Sequence, residues 1–64
     1  MKVREMLKMI GKDGWFQIRQ TGSYRHFRHA TKPGTVTVAG HPSAELAPQT
    51  ASAIMKQAGL EKPK

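Results

Sequence analysis

The stretch Thr21-Gly22-Ser23-Tyr24-Arg25-His26-Phe27-Arg28-His29 decides how this chain folds. Thr21-Gly22 is a turn signal, because glycine reaches positive φ without steric cost. The residues after it alternate in character. Tyr24, His26 and Arg28 therefore project from one face of a strand, and Arg25, Phe27 and His29 from the other. Phe27 is the natural core anchor. The outward face then carries an aromatic hydroxyl, an imidazole and a permanent cation. Such a set suits the binding of a phosphate backbone and chemistry on it.

On the N-terminal side of this stretch, residues 15–20 read as a first strand. Phe16 and Ile18 alternate with Gln17 and Arg19, which predicts that Phe16 and Ile18 are buried and Gln17 and Arg19 wet. The tight turn joins this strand to the one at 23–29 as an antiparallel hairpin. Trp15 follows the Asp13-Gly14 turn, and is expected to cover the edge of a core rather than to stack on a base. On the C-terminal side, residues 30–34 make a second turn punctuated by Pro33-Gly34. Residues 35–39 form a third strand, with Val36 and Val38 inward and Thr35 and Thr37 outward.

Helices flank the strands. Val3, Met6, Leu7 and Ile10 follow i, i+3, i+4, i+7, one apolar stripe of a helix over residues 2–12. Residues 43–46 are expected to form a single helical turn. Pro48 suits the first position of the last helix, which runs to residue 58 and stops at Gly59. Ala51, Ile54, Met55 and Ala58 give its apolar side, and Leu60 folds back onto it. The expectation is one α+β domain over residues 1–60, with 61–64 a flexible tail. Its order is helix, three-stranded antiparallel sheet, helix. Two helices are both hidden only if they cover the same sheet face. The other face stays open and carries Gln17, Arg19, Tyr24, His26, Arg28, Thr35 and Thr37.

A 64-residue chain buries only about 60% of its unfolded surface, so its core is small and a large substrate pocket is not expected. The ligand should be extended and the working surface open. There are no cysteines, which excludes disulfides and thiolate metal sites. No apolar run approaches the roughly 18 residues of a membrane span, and no signal peptide is visible; a cytoplasmic protein with no membrane partner is expected. Eleven Lys and Arg stand against four acids, a formal net charge of +7. No acid falls between Asp13 and Glu45, whereas Arg19, Arg25, Arg28 and Lys32 do. A polyanionic partner follows, with nucleic acid the commonest.

Most reaction chemistries fail on these residues. His26 and His29 point to opposite sheet faces with no carboxylate in the segment, so neither a metal nor another cofactor is expected. Ser23 beside a histidine lacks an acid to orient the base and a pocket to work in. Gly22-Ser23 is too slight for a P-loop. RNA cleavage asks for less, because the RNA's own 2′-hydroxyl is the nucleophile. It needs a base, cations to stabilise the phosphorane, and an extended cationic surface. His26 with Arg25, Arg28 and Lys32 fits that description. From these residues alone, the plainer account is an ordinary exposed histidine on a basic strand.

The order and spacing of several pieces resemble one family. They are the short amphipathic N-terminal helix, Asp13-Gly14-Trp15, Arg19 followed by Gly22-Ser23, and Phe27 three residues after Tyr24. Pro33-Gly34 with Val36 and Val38 follows, then Leu46-Ala47-Pro48 and the ending Lys56-Gln57-Ala58-Gly59-Leu60. From Val3 to Leu60 the chain is similar to the HicA-like toxins of type II toxin–antitoxin modules. The resemblance implies a fold like a minimal double-stranded-RNA-binding domain. It also implies a metal-independent endoribonuclease that cuts messenger RNA and is neutralised by a HicB-like antitoxin covering its RNA face.

The family's catalytic histidine follows Gly-Ser at the start of the second strand, and this chain has Tyr24 there. A phenol is almost wholly protonated at neutral pH, whereas an imidazole is a ready base. His26 is the nearest substitute on the same face, about 7 Å further along the strand. The resemblance thus places catalysis at Tyr24, with His26 as its replacement. Gly22 and Ser23 would approach the phosphate, and Arg19, Arg25, Arg28 and Lys32 would contact RNA. Three accounts of position 24 stay open: a natural variant that still cleaves, a non-catalytic RNA-binding module that pairs with the antitoxin, and a deliberate inactivating replacement. A basic domain that meets only an acidic protein is a further alternative.

Overall fold

The structure, a computed structural model, describes residues 1–60. The expected tail at 61–64 lies outside them. The element order is α1 (Val3–Lys12), β1 (Trp15–Thr21), β2 (Tyr24–His29), β3 (Val36–Ala39) and α2 (Pro48–Gln57). The three strands form one antiparallel sheet in the order β1-β2-β3. Both helices cover the same sheet face, because a single buried cluster joins them to it. Val3, Met6 and Ile10 enter from α1; Trp15, Phe27, Val36 and Val38 from the strands; Leu46, Ala51, Ile54 and Ala58 from the α2 side. The opposite sheet face is open. The expected α+β architecture is the one observed.

Both helix ends rely on partners distant in sequence. The first N–H groups of a helix lack intrahelical acceptors. In α1, Val3 N–H donates to Ala44 O at 2.9 Å and Arg4 N–H to Pro42 O at 3.0 Å. The Glu5 carboxylate accepts from Lys2 N–H at 2.6 Å. Residues 43–46 therefore do not form the expected helical turn. Their backbone caps α1, and Glu45 makes a single bridge with Lys2. The carbonyls that a helical turn would use internally are taken by another element.

The C-terminus of α2 closes in a Schellman arrangement. Gly59, at φ 70°, lets Leu60 N–H reach Met55 O at 2.8 Å while its own N–H reaches Lys56 O at 3.1 Å. Left-handed backbone of this kind favours glycine. The next free carbonyl, Ala58 O, accepts from the Trp15 indole Nε1 at 3.2 Å and from Lys32 Nζ at 3.0 Å. A cation at this end also opposes the negative end of the helix dipole.

The first strand departs from its expected facing. Trp15 is buried, whereas Phe16 and Ile18 are 52% and 47% exposed. The register explains this. Trp15 pairs with His29, Phe16 with Arg28 and Gln17 with Phe27, so Phe16 shares the open face with Arg28, and Gln17 lies on the helix side. A bulge follows between Gln17 and Arg19, after which Arg19 pairs with His26. The extra residue resets the alternation. Arg19 thus reaches the open face as expected, although Phe16, Gln17 and Ile18 before it do not follow the expected pattern.

Candidate nucleic-acid interface

The open face is built from the hairpin turn outward. Thr21 pairs with Tyr24, leaving Gly22 and Ser23 as a two-residue loop. Gly22 has φ 59° and Ser23 has negative φ, the pattern of a type II′ turn, whose twist matches that of the strands it joins. Gln20 Nε2 donates to Gly22 O at 2.9 Å, and Gly40 N–H donates to Ser23 O at 3.3 Å. The turn is thereby tied to the end of β3. Tyr24 stands beside it, between Thr21 and Ala39, 55% exposed.

His26 lies at the centre of this face, half-buried between Arg19 of β1 and Thr37 of β3. Its Nδ1 is 3.2 Å from Thr37 Oγ1. A hydroxyl can donate or accept here. With the proton on Nδ1, Thr37 accepts it, and Nε2 keeps the lone pair that a base needs. Arg28 follows at the far end of β2, exposed and directly across from Phe16.

The charge on this face is of one sign. Among the described residues, Glu5 takes the Lys2 N–H at the start of α1, Asp13 pairs with Lys32, and Glu45 lies beside Lys2. None of these acids is on the open face, and no ion pair within the described residues engages Arg19 or Arg28. Two guanidinium groups flank the His26 imidazole with no internal carboxylate to satisfy them.

A family model for the HicA toxin of bacterial toxin–antitoxin systems matches residues 3–60 of this chain. The chain belongs to the HicA toxin family. No individually curated protein matches it, so the family model carries the assignment. The match covers both helices and the whole sheet, and is therefore a statement about the entire described fold. No helix among the described residues is long and apolar enough to cross a membrane.

The residues that the sequence singles out fall into two groups. Arg19, Gly22, Ser23, Tyr24, His26 and Arg28 lie on the open face or at its turn. Arg25 and Lys32 are directed elsewhere. Arg25 shares the helix side with Val38 and donates from Nη1 to Gly40 O at 2.7 Å. Lys32 is occupied by the Asp13 carboxylate and the end of α2. Its ammonium holds the Asp13 carboxyl below the usual carboxylate value. His29 also serves the fold. Its Nδ1 accepts from Thr31 N–H at 3.0 Å and Lys32 N–H at 3.1 Å, so its proton sits on Nε2, which donates to Asp13 O at 2.7 Å. Sequence reasoning missed Phe16 as a surface residue. The deciding contact, the Trp15 indole N–H on Ala58 O, joins residues 43 positions apart and leaves no local signal in the sequence.

Proposed function

We propose that this protein is a toxin whose activity is the metal-independent cleavage of messenger RNA, and that a HicB-like antitoxin neutralises it by covering the open face. The observation that carries the reading is His26, oriented by Thr37 at the centre of a carboxylate-free face, between Arg19 and Arg28. In the proposed step, His26 Nε2 takes the proton of a ribose 2′-hydroxyl. The 2′-oxygen bonds to the adjacent phosphorus, the bond to the 5′-oxygen breaks, and that oxygen leaves with a proton from water. The products are a 2′,3′-cyclic phosphate end and a 5′-hydroxyl end. Arg19 and Arg28 offset the charge that builds on the phosphorane oxygens, since fixed charges act most strongly where charge develops. Tyr24 donates a hydrogen bond to phosphate at the turn, where Gly22 allows close approach. Because His26 lies about 7 Å from the family's catalytic position, cleavage by this chain is slow.

Tyr24 also favours a second reading: an RNA-binding module that pairs with the antitoxin but does not cut. One experiment separates the two. The purified protein, Tyr24→His and His26→Ala are incubated with messenger RNA in EDTA. Cleavage by the chain as it stands, lost in His26→Ala, supports His26 as base. Cleavage by Tyr24→His alone makes this chain a binding module on a nuclease scaffold. Cleavage by none of them, with no RNA bound, removes the nuclease reading.

A further inference from the structure

Among the described residues, four large hydrophobic side chains are left exposed: Met1, Phe16, Ile18 and Tyr24. Three of them belong to the hairpin of β1 and β2. A single exposed apolar residue needs no explanation, but the placing of Phe16 is specific. It stands on the open face directly across from Arg28, and Tyr24 stands four residues from Arg28 along β2. The two aromatics are thus separated by about 13 Å along the strand, with His26 midway. Tyr24 is flanked across the sheet by the short Thr21 and Ala39, and Phe16 by the Arg28 cation. Both rings are more than half exposed on a basic surface.

We propose that Phe16 is a stacking platform for an unpaired RNA base, and that this face selects single-stranded over duplex RNA. The proposal rests on the RNA-binding reading above and adds to it a residue and a strand preference. A ring beside a guanidinium suits a nucleotide, because the base lies on the ring while the cation meets its phosphate. Paired bases in a duplex present no free faces to stack. A single strand following β2 would set one base on Phe16 with its phosphate at Arg28, and carry its backbone across His26 towards Tyr24. A protein surface is the competing occupant. The acid-free charge favours the polyanion.

The test uses 2′-O-methyl RNA, which lacks the 2′-hydroxyl and so stays uncut during binding. Three probes are compared: a short single strand, the same strand with abasic positions, and a duplex of equal length. Phe16→Leu keeps apolar bulk at an exposed site and removes the ring; Phe16→Trp keeps a ring. The expected result is about a tenfold loss of affinity for the intact single strand in Phe16→Leu, retention in Phe16→Trp, and no change for the abasic strand or the duplex. Equal affinity of wild type and Phe16→Leu for the intact strand overturns the proposal while leaving RNA binding in place. So does a loss confined to antitoxin binding. Absence of wild-type binding to all three probes overturns both the proposal and the reading beneath it.

Discussion

Tyr24 and His26 are two residues apart on one face of one strand, and the difference between their environments sets the expected behaviour of each. Tyr24 is flanked by short residues at the turn; His26 is held through Nδ1 by Thr37. A general base is typically worth about 100-fold or more in rate, so Tyr24→His should raise RNA cleavage by at least about that factor. Single-turnover cleavage in EDTA measures it. Thr37→Val removes the hydroxyl but keeps the β-branched shape. It should leave the fold intact and free the His26 ring to change tautomer, which nitrogen-15 imidazole shifts would report. Any residual cleavage should fall with it, and Thr37→Ser should restore both. The β2 residues of this face were legible in the sequence, because β2 alternates without interruption. Its supporting hydrogen bond was not, since Thr37 is on another strand and only the register brings it to His26.

At the scale of the element, the two ends of the fold show where local reading succeeds and where it stops. Gly59 was recognisable as a helix stop, and the Schellman geometry shows why. Gly59→Ala should cost about 1–2 kcal/mol, the penalty of left-handed backbone for an L-residue, measurable by urea unfolding. Lys32 was not readable as a structural residue. It lies 26 positions from the carbonyl it caps, and sequence alone counts it as one more cation. Its partnership with Asp13 also sets a pH response. The Asp13 carboxyl is held below its ordinary value of 3.8, chiefly by the hydrogen bond from Lys32. The folded state therefore binds that proton more weakly than the unfolded chain. The stability this contributes is complete above the ordinary value and is lost as pH falls through the depressed one. Asp13→Asn should be less stable at neutral pH, and should lose less further stability on acidification below the carboxylate range. Parallel urea midpoints for the two proteins test this. Strand β1 illustrates the remaining gap. Either parity of Trp15-Phe16 puts an aromatic ring inward, and what decides is a tertiary contact, the indole N–H on Ala58 O. The bulge at Ile18 leaves no mark in the residue pattern.

For the molecule as a whole, a charge of +7 overstates what a ligand meets at the open face. Lys32 and Arg25 are committed within the fold, and Lys2 lies beside Glu45. The cations expected to meet phosphate are Arg19 and Arg28. Replacing both by alanine should weaken RNA binding across sequences and reduce the slope of log affinity against log salt by about one for each phosphate no longer neutralised. Affinity measured across a salt series provides the check. Packing is equally divided. Every side chain of the buried cluster belongs to the helix-covered side of the sheet, and Met6, Ile10, Val36 and Val38 are fully enclosed there. Truncating one of them, as in Ile10→Ala, should cost about 2–5 kcal/mol, a large part of the stability of so small a domain. The reverse side carries none of that burden. Positions 16, 19, 24, 26, 28 and 37 can be varied together in a combinatorial library, with changes in activity read as chemistry rather than as unfolding. In such a library the three-stranded sheet serves as a partition, with folding specified on one side and surface chemistry open to reprogramming on the other.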